Sequence, residues 1–350
     1  MNIWLRMLAW LMCCAACVEQ KRPAETVEDP DKIAIDQLTL KIKTYPDSAA
    51  LYEKRSSLYF QTGRIEKALD DISRAISLKP DEAEYYFLRG FYRYADAGDD
   101  SAALTDFQQA ERMGSQNPEV YLHIGNIFTL QERYDRAIAY YRRAESLDSL
   151  ASHYPFVRAF ALYRAKRYDE ALEACSLSLR LDSSNVAAAN LHFELWFDGL
   201  KNDEKALDAN RIIFKIDSLH PLGFFNLGLW YFRRYERTRS TDDLNKADRY
   251  YSRAVALDPG FAAALYNRAY VRFVRKDYAP ALSDFERCVQ LDSADARAHF
   301  HIGLIYEKYD EREKARAAFR KALRHAPEFR DARDALARLE SSLPGKATVN

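Results

Sequence analysis

The sequence predicts an all-α fold: a solenoid of about eight helix–turn–helix repeats with a capping helix at each end. Three observations carry that prediction. Eight alanines, Ala68, Ala103, Ala137, Ala171, Ala206, Ala247, Ala281 and Ala315, recur at intervals of 35, 34, 34, 35, 41, 34 and 34 residues. A period of that length marks one supersecondary unit stacked many times. Within each period apolar residues fall twice at helical spacing, on either side of a short polar turn. Most units close on segments such as Leu78-Lys79-Pro80 or Leu147-Asp148-Ser149, which stop one helix and start the next.

The elements follow in order. Residues 32–45 read as one helix with Ala34, Leu38 and Ile42 on a face, ending at Tyr45-Pro46, so that 32–48 caps the stack. The repeats then run 49–82, 83–117, 118–151, 152–185, 186–220, 221–261, 262–295 and 296–329. In 118–151, Tyr121, Ile124, Gly125 and Phe128 make one helical face. Gln131 to Arg133 form the turn, and Tyr134, Ala137, Tyr141 and Ala144 make the second face.

Three slots stay small. The eighth holds Ser56, Gly90, Gly125, Ala159, Gly228, Ala269 and Gly303; the twentieth holds the eight alanines; the twenty-seventh holds Ala75, Ala110, Ala144, Ser178, Ala254, Cys288 and Ala322. Antiparallel helices approach closely only where no bulky side chain stands between them, and a larger residue there costs about 1–3 kcal/mol. The fifth repeat breaks this pattern with Phe193 and Ile213, which predicts altered packing in that pair. The sixth carries seven extra residues around Tyr235–Asp243. They read as a loop insertion, which adds little closure entropy, with Ser240 to Asp243 restarting the second helix as a capping box. Pro155 and Pro280 fall in first turns, where a missing N–H is tolerated. Residues 330–341 read as a solvating last helix and 342–350 as a disordered tail.

With these slots in place over 49–329, the chain resembles the tetratricopeptide repeat family. The resemblance implies a right-handed superhelix whose first helices line a concave face that holds a protein or peptide partner. The fifth, ninth and twelfth slots of each first helix then point into the groove. The candidate contacts are Phe87, Phe91, Tyr94, Asn126, Phe156, Phe160, Tyr163, Phe225, Phe232, Tyr266, Tyr270 and Phe273. Arg164 and Arg233, one slot further on, are candidates to meet acidic groups of the ligand. Aromatics in the fifth and twelfth slots commonly pack between repeats of this family. The ninth-slot rings Phe91, Phe160 and Tyr270 are therefore the more telling ones. Some members clamp a C-terminal carboxylate with Lys in the fifth slot and Asn in the ninth of one repeat; no repeat here has both.

The N-terminal segment reads separately. Met1 to Arg6 holds one basic side chain, and Met7 to Ala16 is an apolar run of ten residues. That is too short to span a bilayer but suits the core of a secretory signal. Ala15-Ala16 then precede Cys17. The segment resembles a bacterial lipoprotein signal, with Cys14 in the place where that family usually has leucine. The resemblance implies removal of 1–16 and lipidation of Cys17, and two or more acyl chains anchor firmly. Modification at Cys13 or Cys14, an ordinary cleaved signal, or an uncleaved anchor are the alternatives. Residues 17–31, rich in Glu, Lys and Pro, read as a tether. The lipoprotein resemblance also implies the outer membrane, facing the periplasm, because Val18 stands where an aspartate marks inner-membrane retention in the enteric sorting rule.

Charge and chemistry narrow the function. The 52 basic and 52 acidic residues balance, and loss of 1–16 removes Arg6 only. No basic excess exists to neutralise phosphates, which argues against a nucleic-acid partner. Cys175 and Cys288 lie three repeats apart and read as small buried hydrophobes rather than a disulfide pair. Of the seven histidines, His299 and His301 are two apart on a helix and lack the spacing of a helical metal site. His123, His153, His192, His220 and His325 show no local partner with ligand spacing. There is no phosphate loop, nucleophile elbow or Cys-x-x-Cys, so neither catalysis, nor a metal, nor a cofactor is expected. The expected function is a membrane-anchored adaptor in envelope assembly. A glycan receptor would need polar groups among the groove aromatics, and Asn126, Asn190 and Glu194 supply only a few. An accessory subunit that activates an envelope enzyme is the other alternative.

Overall fold

The computed structural model describes residues 29–95 and 99–341; Cys17, the segment 1–16, most of the tether and the tail 342–350 lie outside the described residues. Every regular element among the described residues is helical. The chain divides between Ser183 and Ser184 into two compact units.

The first unit holds α1 (Pro30–Thr44) and four helical pairs: α2 (Ala49–Gln61) with α3 (Ile65–Leu78), α4 (Ala83–Ala95) with α5 (Asp100–Arg112), α6 (Pro118–Leu130) with α7 (Tyr134–Leu147), and α8 (His153–Arg164) with α9 (Tyr168–Leu181). Each helix packs on its partner, and within this unit α3, α5 and α7 each pack on the first helix of the next pair. Ile35 and Ile42 bury the inner face of α1, which closes the start of the stack. Starts are marked by side-chain caps: Asp29 accepts from the Asp31 amide, Asp99 from Ala102 and Asn117 from Glu119, each satisfying an amide that a helix end leaves open. Pro155 lies in the first turn of α8, where its missing N–H breaks no helix bond.

The second unit holds α10 (Val186–Glu194), a π-helical turn (Leu195–Gly199) and α11 (Asp203–Ile216), then α12 (Pro221–Thr238) with α13 (Thr241–Leu257), α14 (Ala262–Val274) with α15 (Tyr278–Leu291), α16 (Ala296–Lys308) with α17 (Arg312–His325), and the last helix α18 (Arg330–Ser341). α18 covers Phe319 and Ala315 of α17 with Ala335 and Leu339. Cys175 and Cys288 are buried and form no disulfide; burial pushes both thiols up to about 12, so neither is a nucleophile at neutral pH.

The small eighth slot has a concrete cause. A Cβ on Gly90 would stand 2.8 Å from the Phe107 ring, and on Gly125 or Gly228 it would stand 2.5 Å from the rings of Tyr141 or Tyr251. Those rings are buried on the paired helix, so they have no room to retreat. Where the slot carries Ser56 or Ala159, the corresponding place on the second helix holds Ile72 or Cys175 instead of a ring. The fifth repeat reverses the sizes: Phe193 stands in the small slot, and Asn210, 1% exposed, takes the place of the ring.

Two departures from the sequence reading stand out. The altered packing of the fifth repeat takes the form of a π-turn. Leu200 N donates to Leu195 O at 2.9 Å, an i→i+5 bond that absorbs one extra residue into the helix. The insertion of the sixth repeat is helical rather than a loop. α12 and α13 run for 18 and 17 residues, against 13 and 14 for α14 and α15. Ser240 does restart the second helix, its Oγ accepting from the Asp243 amide at 3.4 Å. Ion pairs explain why a polar, loop-like sequence stays helical: Arg237 pairs with Asp203, and Arg234 reaches Asp243 at 3.1 Å.

The turns inside the pairs share one shape. Arg64 N bonds Tyr59 O, Arg133 N bonds Phe128 O, Arg167 N bonds Leu162 O, and Asp277 N bonds Arg272 O, at 2.7–2.9 Å. The residue just before each donor is left-handed: Gly63, Glu132, Lys166 and Lys276, with φ of 72°, 59°, 60° and 67°. Only Gly63 occupies that region without steric penalty. Lys166→Gly and Lys276→Gly are each expected to stabilise the chain by about 0.5–1 kcal/mol, net of the added freedom of the unfolded chain. Urea unfolding followed by circular dichroism measures it, and an unchanged midpoint would refute it.

Candidate partner-binding groove

In each unit the first helices are spatial neighbours, joined by side chains at the slots the sequence singled out. In the first unit Phe60 of α2 meets Phe91 and Tyr92 of α4 at 5.3 and 4.6 Å between ring centres. Phe87, Phe91 and Tyr94 of α4 gather round His123 of α6 at 6.2, 5.3 and 5.3 Å. Phe107 of α5 stacks on the same imidazole at 5.3 Å and 10°. The three α4 rings remain half-buried, so one edge of this cage is open.

The second unit repeats the arrangement. Tyr266, Tyr270 and Phe273 of α14 surround His301 of α16 at 5.8, 5.4 and 5.5 Å, and Phe285 of α15 stacks on it at 4.9 Å and 17°. The frame is duplicated too. Asp106 accepts Arg89 in a bidentate pair and Arg93 besides; Asp284 does the same for Arg268 and Arg272. Fork-to-carboxylate geometry of this kind fixes orientation as well as charge, so each cage stands on a rigid mount.

Spacing along the two histidines' own helices gives no sign of these cages. Their partners come from the preceding repeat. The signal was present: His123 and His301 share the sixth slot, and each follows a repeat with aromatics in the fifth, ninth and twelfth slots. Burial pushes His123 down to about 4 and His301 down as well. His123 Nδ1 is buried without a hydrogen-bond partner, and its Nε2 lies 4.0 Å from Glu119. Burial works against the Glu119 carboxylate, but hydrogen bonds from His153 and from Tyr154, the latter at 2.7 Å, hold it below the usual range.

The other candidates divide by environment. Asn126 accepts the Tyr141 hydroxyl at 2.9 Å, so its oxygen braces the core. Phe156 is 6% exposed, while Phe160 and Tyr163 are half-buried. Arg164 lies 3.8 Å from Glu132. In the second unit Phe225 packs on Phe261 at 4.9 Å, and Phe232 meets Tyr270 edge-on at 5.7 Å. Arg233 covers the Phe197 ring at 3.2 Å, donates to Phe197 O at 2.5 Å and pairs with Asp198. Its charge serves the π-turn, whose displaced carbonyl it satisfies. No group of three or more His, Cys, Asp or Glu among the described residues could hold a metal ion.

Models of the tetratricopeptide repeat match residues 54–118, 88–155, 131–186 and 240–296, and a second such model matches 296–329. The chain belongs to the tetratricopeptide repeat family. Response regulator aspartate phosphatase E of Bacillus subtilis is 25% identical over 260 residues, which cover 71% of this chain and 52% of that protein. Human DnaJ homolog subfamily C member 7 is 24% identical over 335 residues, covering 84% of this chain and 66% of that one. The chain thus spans only part of the length of these relatives. A tetratricopeptide repeat protein from Parabacteroides merdae, known from its crystal structure, superposes with a TM-score of 0.56 at 18% identity, over 74% of this chain and 98% of that one; it speaks for the fold alone. Tetratricopeptide repeats mediate protein–protein contacts, and that much carries over with the family.

Proposed function

We propose that this chain is an adaptor that holds a partner protein or peptide against the first helices of its repeats, while a lipid on Cys17 keeps it at the cell envelope. The observation that carries the reading is the pair of cages. Each unit offers half-buried aromatic side chains on a rigid mount of arginine–carboxylate pairs, and rigid aromatic anchors of this kind dominate binding energy at interfaces. Groove recognition by apolar anchors suits a helix or an extended segment of the partner. The apolar run before Cys17 and the small residues next to that cysteine support the anchor.

The test is a crosslinked pull-down from membranes, comparing wild type with a chain carrying Phe91→Ser, Phe160→Ser and Tyr270→Ser, once circular dichroism shows that both are folded. A specific partner lost in the triple variant is expected. Recovery of the same partners by both chains would remove the aromatic row from the binding surface.

A further inference from the structure

We propose that Glu194 and Asn190 on α10 receive a basic group, a lysine ammonium or an arginine guanidinium, carried by the partner segment that lies along the first helices of the second unit. This inference rests on the adaptor reading above.

The position comes first. Asn190 and Glu194 occupy the fifth and ninth slots of their repeat. The next two repeats fill those slots with Phe225 and Leu229, then with Tyr266 and Tyr270. The row of apolar side chains is broken here by a carboxylate and an amide.

The geometry shows a built site. Asn190 Nδ2 donates to Glu194 Oε1 at 2.8 Å, and Asn190 Oδ1 accepts from Asn226 Nδ2 at 3.0 Å. Asn226 also donates to Asn210 Oδ1 at 3.1 Å, and Asn210 Nδ2 donates to Gly223 O at 3.0 Å. Asn226 and Asn210 are 2% and 1% exposed. The linked side-chain amides of Asn226 and Asn210 therefore fix which way Asn190 faces, and Asn190 fixes Glu194. Supporting shells of this kind preorganise a binding group. The π-turn starts at the very next residue, Leu195, and such turns recur at functional sites.

Charge decides the class of ligand. Glu194 is half-buried and makes no ion pair among the described residues, whereas the fully buried carboxylates Asp71, Asp106, Asp243 and Asp284 each hold an arginine. Arg233, the cation beside the π-turn, is engaged by Phe197 O and Asp198. Burial, with Asp198 adding to it, pushes the Glu194 carboxyl above its ordinary range. A half-buried negative charge without a partner is unfavourable; a ligand cation would relieve it, through charge-assisted bonds about twice as strong as neutral ones. An acidic group would be repelled there, and a neutral donor would leave the charge uncompensated.

The experiment uses the full chain with 13C-labelled glutamate carboxyls and N-acetyl-arginine methylamide as probe, with N-acetyl-norleucine methylamide as the uncharged control. Glu194→Gln assigns the resonance; it also keeps an acceptor for Asn190 while removing the charge. The expected result is a saturable shift of the Glu194 carboxyl with the arginine probe, absent with norleucine; the 15N-labelled Asn190 side-chain amide shifts alongside it, and in Glu194→Gln that amide response is weakened roughly tenfold or more. Equal responses to the two probes, or no response to the arginine probe at millimolar concentration, would overturn the inference. Either of those outcomes leaves the adaptor reading to the pull-down, whose three substitutions do not touch this site.

Discussion

Replacing Asp106 with alanine is expected to destabilise the chain by about 3–5 kcal/mol, the range for removing one partner of a buried ion pair. The Asp106 carboxylate is 4% exposed and faces Arg89 and Arg93, which are 20% and 28% exposed. Without it, two guanidiniums are left facing each other with nothing between them, and each has been partly stripped of water. The loss reflects the stranded charges rather than the worth of the pair. Replacing all three by apolar side chains (Arg89→Met, Arg93→Met and Asp106→Leu) is therefore expected to restore most of the stability. Urea unfolding of the single and triple variants separates the two effects. A loss under about 1 kcal/mol in the single variant would mean that the pair behaves as a solvated surface contact.

The second large effect is with acid. His123 is 7% exposed, and burial holds it at about 4 against 6.5 when unfolded. As pH falls below 6.5 the unfolded chain takes up a proton that the folded chain refuses until about 4. Stability present above 6.5 is thus lost progressively down to about 4, by about 3 kcal/mol if the whole shift is realised. Glu119, the carboxylate beside the ring, opposes the loss without reversing it. His301 and His192 are shifted in the same direction by burial and add to the slope. His123→Phe fills the same cage with a ring that does not titrate and has no orphaned nitrogen. It is expected to reduce the slope between pH 6.5 and 4 while keeping stability at pH 7. An unchanged slope would show that the imidazole reaches water in the folded chain.

Most of the architecture was written in the sequence because its signals are local. The alanine period, the paired helical faces and the small eighth slot are each set by packing inside one repeat, and a single repeat displays them. The features that were missed depend on a second repeat. The cage around His123 takes three rings from α4 and one from α5, so inspecting its own helix shows nothing. The insertion at 235–243 looked like a loop because its residues are polar; it is helical because Arg233, Arg234 and Arg237 find Asp198, Asp243 and Asp203. The π-turn left a trace, the 35-residue gap between Ala171 and Ala206, but the gap records only that one residue is extra. Whether a loop or a widened turn absorbs it depends on Arg233, which belongs to the following repeat.

Arg233 also sets a limit on how such a chain can change. Stacks of this kind grow and shrink in evolution by gain or loss of whole repeats, which works when each copy is self-sufficient apart from a generic seam. The fifth repeat is not. Its displaced carbonyl at Phe197 is met from the sixth, and Asn190 is oriented through Asn226, again from the sixth. The two must be inherited together, so a homologue that has lost one of them should have lost the other.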